Sequence, residues 1–505
     1  MAVEKDNVMS IDTDPIVFAH LQSDRSGAAM RGAMWSALTA LVPSALSALV
    51  FLITSRFLNP SDFGIVALSF SIVSFVSAVG PLAFDQAIIQ QKDIRRSHLD
   101  SVFWLALVWA AMLYVFLALS ASCIANWVSQ PIIRPMLMIM GVKIFFDLLA
   151  VIPNGLIGRT MAFHLAATRT VVATVASAVI CLSLLLLGYR IWAIVIAQIS
   201  SSAASCIAAY WGAKWIPGTN IKFTSLRDLR KYGIFASGNK FFQVMSLDQL
   251  LIGTLIGPAP LGIYNFARRI FQIMNDVVTG GLTSVSHALF SSLQSEQGKV
   301  RDAFLLSTFG CSLIAFPVFM GLAAISSDFI PFAFGEQWAP AVWPVRFFCV
   351  IGLMSGIGVI QASLINSQGK SDWWFYYQLF RNVTTVISVY LLRDQGISVI
   401  VFSIMMQVLI LWPVTLFMVS RLIDLRVSEY IKQFARPFAA YAGLLIITSL
   451  VGHELDSYTP IARMIIQVVT GGITYISIIY ILCKEEIFRV FKLFRSARNR
   501  RHSKV

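Results

Sequence analysis

Charged residues are scarce in this chain, and acidic residues are the scarcer kind. Of 505 residues, 13% are charged and 57% are hydrophobic, whereas a soluble domain carries about 25% charged residues. This composition excludes an ordinary soluble enzyme and indicates an integral membrane protein. Asp and Glu number 25 against 39 Lys and Arg, a formal net charge of +14. Because the basic residues lie mainly in short connections and near the carboxyl end, their charge favours membrane orientation over nucleic-acid binding.

The sequence also lacks the usual patterns of metal, disulfide and nucleotide sites. Its six cysteines have no close pairing or metal-type spacing, and its six histidines form no pair at helical spacing. Gly369-Lys370-Ser371 resembles the end of a phosphate-binding loop, but Leu364 stands where an earlier glycine is required. No cofactor is expected. Since no connection exceeds about twenty residues, a soluble catalytic domain has no room, and we do not expect an enzyme.

The chain does contain a succession of apolar runs, each long enough to cross a bilayer at about 20 residues. They predict an all-α integral membrane protein with about fourteen transmembrane helices, arranged as two six-helix lobes and a final pair. The runs lie approximately at 33–54, 64–89, 102–126, 133–156, 168–188, 191–212, 233–256, 262–289, 303–325, 341–365, 373–392, 396–419, 437–453 and 462–483.

Basic residues divide unevenly between the connections, which predicts the orientation of the chain. One alternate set holds most of the Lys and Arg, whereas the opposite set holds only Arg56, Arg190, Arg393 and Arg463. By the positive-inside rule, both termini are cytoplasmic. The predicted parts are a cytoplasmic segment at 1–30, without the pattern of a cleaved signal, an N-lobe at 31–212, a basic cytoplasmic linker at 213–232, a C-lobe at 233–420, the final helix pair at 421–483 and a basic cytoplasmic tail at 484–505.

Two stretches about 198 residues apart indicate an internal duplication, a common feature of transporters. FLNPSDFGIV and LIGPAPLGIY each lie between two apolar runs. In this match Pro60 corresponds to Pro258, and Gly64 corresponds to Gly262.

Ionisable residues inside the spans are the main candidates for function, since an unpartnered charge there costs a few kcal/mol. Lys143 and Asp147 are four residues apart and can neutralise each other on one helix face. Lys240 and Asp248, eight apart, either line a groove or form a polar contact between helices.

The second half adds more buried positive charge. Arg268 and Arg269 point about 100° apart, and Asp276 follows Arg269 by seven residues on nearly the same face. One arginine can therefore bind a ligand while the other pairs with Asp276 or extends to the membrane surface. With Arg346 and Arg381 they predict a cationic cavity for an anionic group such as a diphosphate, or else ordinary ion pairs between helices.

Five stretches carry a family resemblance over roughly residues 30–420. The chain resembles the Wzx-type flippases, the polysaccharide transporter branch of the multidrug, oligosaccharidyl-lipid and polysaccharide exporter superfamily. The matching stretches are SRFLNPSDFGIVAL, VIPNGLIGRTMAFHLAATRT, LLGYRIWAIVIAQ, DQLLIGTLIGPAPLGIYNFARRI and FGEQWAPAVWPVRFFCVIGL.

The resemblance implies transport of an undecaprenyl-diphosphate-linked oligosaccharide across the bacterial inner membrane, for exopolysaccharide, O-antigen or capsule synthesis. It implies two six-helix lobes with alternating access, and polymerase and export proteins as partners. Basic residues would contact the diphosphate, first Arg268 or Arg269 and then Lys240. Asp248, Asp276 and Asp147 are candidates for coupling to an ion.

Two other functions remain open at this point. A drug/cation antiporter of the same superfamily would have an acidic cavity and about twelve spans, which the basic residues and the final helix pair disfavour. A membrane-embedded polysaccharide polymerase or ligase would need a sizeable outer loop. The longest one here is expected to be SSDFIPFAFGEQWAPAV, which is short.

Overall fold

The computed structural model describes residues 42–81, 83–91, 94–160, 162–222, 246–279, 297–454 and 459–482, with the single positions 224, 226, 227, 237 and 290. Throughout these residues the regular structure is helical, which confirms the predicted all-α class. The chain divides into two compact units, a first unit at Met1–Asn265 and a second at Phe266–Val505. Each unit is described below by itself.

Helices α1 to α9 belong to the first unit, and α10 begins in it. Their bounds are α1 Val42–Phe57, α2 Pro60–Ala78, α3 Phe84–Gln90, α4 Arg96–Trp127, α5 Ile133–Leu149, α6 Val151–Arg159, α7 Phe163–Leu186, α8 Ile191–Ala213, α9 Leu247–Leu255 and α10 Pro258–Thr279.

Helices α11 to α17 belong to the second unit. Their bounds are α11 Gln297–Ala315, α12 Gly321–Phe334, α13 Val342–Ser367, α14 Ser371–Leu391, α15 Ile397–Ile423, α16 Val427–Glu454 and α17 Pro460–Leu482. A π-helical turn at Phe316–Met320 joins α11 to α12, and a 3₁₀ turn at Glu336–Ala341 precedes α13.

Nine helical segments in the described part of the chain are long and apolar enough to cross a membrane. The expected count of about fourteen stays a prediction. The expected spans at 33–54, 233–256 and 262–289 are only partly described, and α14 and α16, which correspond to the expected spans at 373–392 and 437–453, are not among the nine. The segments are Pro60–Ala78, Arg96–Trp127, Ile133–Arg159, His164–Leu186, Ile191–Ala213, Gly298–Phe334, Glu336–Ser367, Ile397–Ile423 and Ile461–Leu482.

The run expected as a single span at 64–89 is two helices, so that prediction was wrong in detail. Helix α2 starts where Asn59 accepts a hydrogen bond from the Asp62 backbone N–H at 2.8 Å, with Pro60 in its first turn. It ends at Ala78, and α3 starts at Phe84. Pro81 explains the interruption, because proline lacks the N–H that would continue the helix and restricts the residue before it.

Two connections expected in the second half are largely helical. The expected outer loop at 326–342 consists of the end of α12, which reaches Phe334, and the 3₁₀ turn at Glu336–Ala341. Gly335, with a φ of +106°, separates the two. Helix α16 starts at Val427, ten residues before the expected 437, so it takes in residues that were assigned to a basic connection.

The matched positions of the internal duplication face each other in the first unit. A Cβ atom placed on Gly64 would lie 1.7 Å from the carbonyl oxygen of Pro258, and one placed on Gly262 would lie 1.7 Å from that of Pro60. Helices α2 and α10 therefore cross in backbone contact, as small residues allow in membrane proteins. The two contacts are reciprocal, because each glycine meets the carbonyl oxygen of the proline at the start of the other helix.

The final helix pair packs against α11 and α12 within the second unit. Arg463 of α17 binds the Asp328 carboxylate of α12 through two nitrogens, with Nε 2.9 Å from Oδ2 and Nη2 2.5 Å from Oδ1. Tyr475 Oη donates to the Leu313 carbonyl of α11 at 3.0 Å. These contacts fasten α17 to the helices predicted to form the C-lobe.

The start of the predicted linker is hydrogen-bonded to α4 in the first unit. The Gly218 N–H donates to Asp100 Oδ1 at 3.0 Å, and the Gly218 carbonyl accepts from Trp104 Nε1 at 2.9 Å. The Lys222 N–H donates to Ser101 Oγ at 2.9 Å. Side chains near the start of α4 therefore hold residues 214–222 in place.

Candidate functional site

Helix α10 carries the arginine pair that the sequence singled out. Arg268 and Arg269 are both half-buried, beside the fully buried Phe266 and Ala267. Phe266 stacks on the buried Trp338 with ring centroids 4.1 Å apart and planes inclined by 14°. This contact fixes the rotation of α10 within the second unit.

The charge of Asp276 acts favourably on the Arg269 guanidinium. The two residues are separated by two helical turns, about 10 Å, and lie on nearly the same face of α10. Asp276 is exposed, whereas Arg269 is half-buried. Which of the adjacent arginines binds a ligand stays a prediction.

Asp248, the acidic candidate on α9, is already hydrogen-bonded. Its Oδ2 accepts from the hydroxyl of the buried Tyr264 at 2.5 Å. The next residue, Gln249, accepts from Ser71 Oγ of α2 at 3.0 Å. Asp248 and Gln249 thus both form polar contacts between helices of the first unit. Lys240, the other residue of the predicted pair, lies outside the described residues.

Arg346 and Arg381 lie on different helices of the second unit. Arg346 Nε donates to Ser326 Oγ at 2.9 Å, and its guanidinium lies 5.0 Å from the ring centre of Trp343. This arginine therefore supports the contact between α12 and α13. Arg381, on α14, is half-buried, and its carbonyl accepts from Gln407 Nε2 of α15 at 2.6 Å. Neither observation tests a contact with substrate, so substrate binding by Arg346 and by Arg381 stays a prediction.

Asp147 is paired within its own helix. Lys143 Nζ lies 2.5 Å from Asp147 Oδ2, as the four-residue spacing predicted. The ammonium group of Lys143 also lies 5.9 Å from the ring centre of Phe70 on α2. The structural interpretation of this pair is confirmed, and a role of Asp147 in ion coupling stays a prediction.

One group of polar residues in the first unit was not predicted from the sequence. Arg169 Nη1 of α7 donates to Asn154 Oδ1 of α6. Asp85, at the start of α3, interacts electrostatically with the same guanidinium. The sequence did contain an indication of these residues. Asn154 and Arg169 both lie in VIPNGLIGRTMAFHLAATRT, one of the stretches that carry the family resemblance, and Pro81 interrupts the helix just before Asp85. In the described residues, no group of three or more His, Cys, Asp or Glu is arranged to hold a metal ion.

Comparison with known proteins agrees with this architecture. The chain is 23% identical over 477 residues to the teichuronic acid biosynthesis protein TuaB of Bacillus subtilis strain 168, covering 93% of this chain and 98% of that protein. It is 26% identical over 364 residues to the succinoglycan biosynthesis transport protein ExoT of Rhizobium meliloti strain 1021, covering 71% and 73%. Its fold matches the lipid II flippase MurJ in an inward closed conformation with a TM-score of 0.73 and 13% identity, over 90% of this chain and all of that one.

The helices, the charges within them and this fold define a multi-pass membrane protein with the architecture of a transporter. The sequence profile of the polysaccharide biosynthesis protein family matches residues 53–343, more than half of the chain. The chain belongs to that family. The resemblance to polysaccharide transporters stated from the sequence is thereby confirmed.

Proposed function

We propose that this chain is a flippase that moves undecaprenyl-diphosphate-linked oligosaccharides across the bacterial inner membrane for polysaccharide synthesis. The observation that carries the proposal is the half-buried pair Arg268 and Arg269 in an apolar protein whose fold matches a lipid II flippase along 90% of its length. The relatives named for polysaccharide biosynthesis and transport support the same cargo class.

The chemistry of such a cargo explains why a protein is needed. A diphosphate carries charge that costs many kcal/mol to move through hydrocarbon, and each sugar hydroxyl adds to that cost. A polar passage replaces water for the head group, while the polyprenyl tail stays in lipid. Exposure of this passage first to one leaflet and then to the other achieves transport without chemistry at the cargo. The proposal therefore describes a transporter rather than an enzyme.

Arginine is suited to the diphosphate because its planar guanidinium donates two parallel hydrogen bonds to a phosphate oxygen pair. Arg268 and Arg269 are the first assigned contacts, followed by Lys240, Arg346 and Arg381. Of the three acidic candidates for ion coupling, Asp147 has Lys143 as its partner and Asp248 has Tyr264.

Asp147, Asp248 and Asp276 are all kept as candidates for coupling transport to an ion, because carboxylates within membrane-spanning helices commonly take part in proton relays.

Deletion of the gene distinguishes transport from the other functions. We expect complete lipid-linked repeat units to accumulate on the cytoplasmic side and polymer export to stop. Exported single units that are never joined would indicate a polymerase or ligase. Unchanged polysaccharide with increased sensitivity to cationic drugs would indicate an antiporter.

Complementation with variants then tests the basic residues. Arg268→Ala, Arg269→Ala and Lys240→Ala should impair export while the protein remains in the membrane. Arg393→Ala is the matched control, because this arginine is 42% exposed and lies beside Asp394 and the ring of Tyr390. Full export by all three variants would remove these side chains from the binding site.

The proposed topology places both termini in the cytoplasm, and the polymerase and export proteins of the same synthesis are the expected partners. Reporter fusions at each end test the topology directly. Cytoplasmic activity at both ends is expected, and an external terminus would contradict the arrangement.

A further inference from the structure

Three exposed basic residues lie around the connection between α15 and α16 and have no role in the proposed transport. They are Arg421 in the last turn of α15, Arg426 just before α16 and Lys432 in the second turn of α16. Within the described residues, none of the three forms an ion pair. Together they form the basic junction.

One arginine of α11 holds the parts of this junction together. Arg301 Nη1 donates to the Asp424 carbonyl at 3.4 Å, and its Nη2 binds the Glu429 carboxylate. Each residue of the basic junction lies two or three positions from Asp424 or Glu429 in the chain. A single guanidinium group, bound to both of these residues, therefore brings the basic junction into one patch of the surface of the second unit.

The patch is positively charged on balance. Because Arg301 neutralises Glu429, the acidic side chain left among residues 421–432 is Asp424, which is exposed. Three exposed positive side chains thus stand against one exposed carboxylate. Such a surface attracts anionic groups, and the attraction is strongest where several positive side chains act together.

The basic junction lies at the surface of the membrane. Helix α15 belongs to the segments that are apolar enough to span, and its apolar run ends at about 419, two residues before Arg421. Helix α16 has 28 residues, a length of about 42 Å, whereas the hydrocarbon layer is about 30 Å thick. Its first ten residues precede the apolar run that starts at about 437. Lys432 therefore lies in the excess length, at the level of the lipid headgroups.

Apolar side chains are exposed beside the basic ones. Val427 and Ile431 are 45% and 48% exposed and lie four positions apart, on one face of α16. Tyr430 points the other way, is fully buried and stacks on Phe304 of α11 with ring centroids 5.5 Å apart. The exposed side of this segment thus combines apolar residues with Lys432, the pattern of a helix that contacts the membrane interface. A phospholipid matches both properties, because it carries an anionic headgroup on acyl chains.

We propose that the basic junction binds the headgroups of anionic phospholipids, with Val427 and Ile431 against their acyl chains. The lipid phosphate accepts charge-assisted hydrogen bonds from the guanidinium groups. Lys432 extends its ammonium group to the same level while its methylene groups stay against lipid. Bound lipid holds the start of the final helix pair at the membrane surface. None of these residues belongs to the proposed cargo site, so their role is independent of the cargo.

The test measures binding of two fluorescent lipids to the purified full-length protein in micelles of an uncharged detergent. The lipids are phosphatidylglycerol and phosphatidylcholine with the same acyl chains. We expect the wild type to bind phosphatidylglycerol at least about tenfold more tightly, because several positive charges act on it. This preference should fall steeply when salt is raised to about 0.5 M, which screens exposed charges.

Substitutions then locate the binding surface. Arg421→Gln, Arg426→Gln and Lys432→Gln should each weaken binding of phosphatidylglycerol about two- to fivefold, the effect of one charge at a lipid surface. The triple variant should lose most of the preference and bind phosphatidylcholine as the wild type does, within about twofold. The basic carboxyl-terminal tail is the same in every variant, so its own attraction for anionic lipid stays constant.

A control variant and a second measurement complete the test. Arg393→Gln is the matched control, because Arg393 is 42% exposed beside Asp394 and precedes α15, at the opposite end of that helix from Arg421. It should keep the wild-type preference. In the wild type, phosphatidylglycerol should slow hydrogen exchange of the backbone amides at 424–432, and phosphatidylcholine should not.

Three results would overturn the proposal without touching the flippase function. Equal affinity of the wild type for the two lipids would do so and would favour an acidic protein segment as the partner of this surface. Full preference in the triple variant, or unchanged exchange at 424–432, would place the lipid elsewhere on the protein. Displacement of the bound lipid by glycerol 3-phosphate alone would indicate a phosphate site instead of a lipid surface. If the triple variant does not fold, the three single variants decide by the same criterion.

Discussion

Gly64 and Gly262 hold helices α2 and α10 in backbone contact. A Cβ atom built on Gly64 would lie 3.0 Å from the Gly262 nitrogen, and one built on Gly262 would lie 3.1 Å from the Gly64 nitrogen. The nearest atoms are closer still, the carbonyl oxygens of Pro258 and Pro60, each at 1.7 Å. These atoms belong to the helix backbone and cannot rotate aside. The crossing therefore depends on the absence of a side chain at both positions.

Gly64→Ala and Gly262→Ala should each destabilise the protein by about 1–3 kcal/mol, the usual cost of forcing an extra group into a packed contact. Thermal unfolding of the detergent-purified protein measures this effect. Gly358→Ala is the control, because a Cβ atom at Gly358 would meet no atom within 4 Å. The double variant should cost less than the sum of the two single changes, since the first change already separates the helices. Additive losses would argue against a shared crossing.

Arg463 and Asp328 should be stabilising only as a pair. Their side chains are 22% and 18% exposed, so loss of one partner leaves a poorly solvated charge. We expect Arg463→Met to lower the free energy of unfolding by roughly 2 kcal/mol. Asp328→Leu combined with Arg463→Met should recover most of that loss, because no charge remains. Equal unfolding temperatures for the wild type and Arg463→Met would contradict a stabilising contact.

The part of the linker that is bound to α4, residues 214–222, should be protected from hydrogen exchange. The amides of Gly218 and Lys222 both donate to side chains of α4. Ser101→Ala removes the acceptor of Lys222 and should speed exchange of that amide roughly fivefold, the equivalent of one hydrogen bond. Ser120→Ala serves as the control, because Ser120 donates only to carbonyls of its own helix. Rapid exchange across 214–222 in the wild type would show that the segment is not held.

Local patterns in the sequence predicted local structure well. The four-residue spacing of Lys143 and Asp147 predicted an ion pair, because it fixes both side chains on one face of a helix. The match of Gly64 with Gly262 indicated a repeat, but the sequence match alone does not show that the two residues are in contact. The interruption near Pro81 was missed because the apolar run continues through it, and apolarity alone does not separate one helix from two.

The hydrogen bond between Arg169 and Asn154 lay beyond sequence reasoning for a different reason. The two residues are on different helices, and only the packing of α6 and α7 brings their side chains together. Similarly, the partners of Arg346 on α12 depend on how two helices meet, which a single sequence does not state. Helix existence follows from composition, whereas contacts between charges on different helices follow from the fold.

Neutralising Asp147 alone should reduce the amount of protein in the membrane. Asp147→Asn leaves Lys143 without its acid in an apolar span, at a cost of about 2 kcal/mol. Lys143→Met combined with Asp147→Leu should restore wild-type accumulation, which quantitative blotting of membranes measures. If the double variant accumulates but does not export polymer, Asp147 has a role in coupling beyond the ion pair. Normal accumulation of Asp147→Asn would show that the pair contributes nothing to folding.

The most direct test of the central claim is flipping in proteoliposomes that contain only this protein. Undecaprenyl-diphosphate-linked oligosaccharide is placed in both leaflets, and the fraction that becomes accessible to an external lectin is followed over time. We predict rapid and complete accessibility with the wild type, and accessibility limited to the outer leaflet with the Arg268→Ala and Arg269→Ala double variant. Accessibility limited to the outer leaflet with the wild type, or equal flipping by the double variant, would contradict the account.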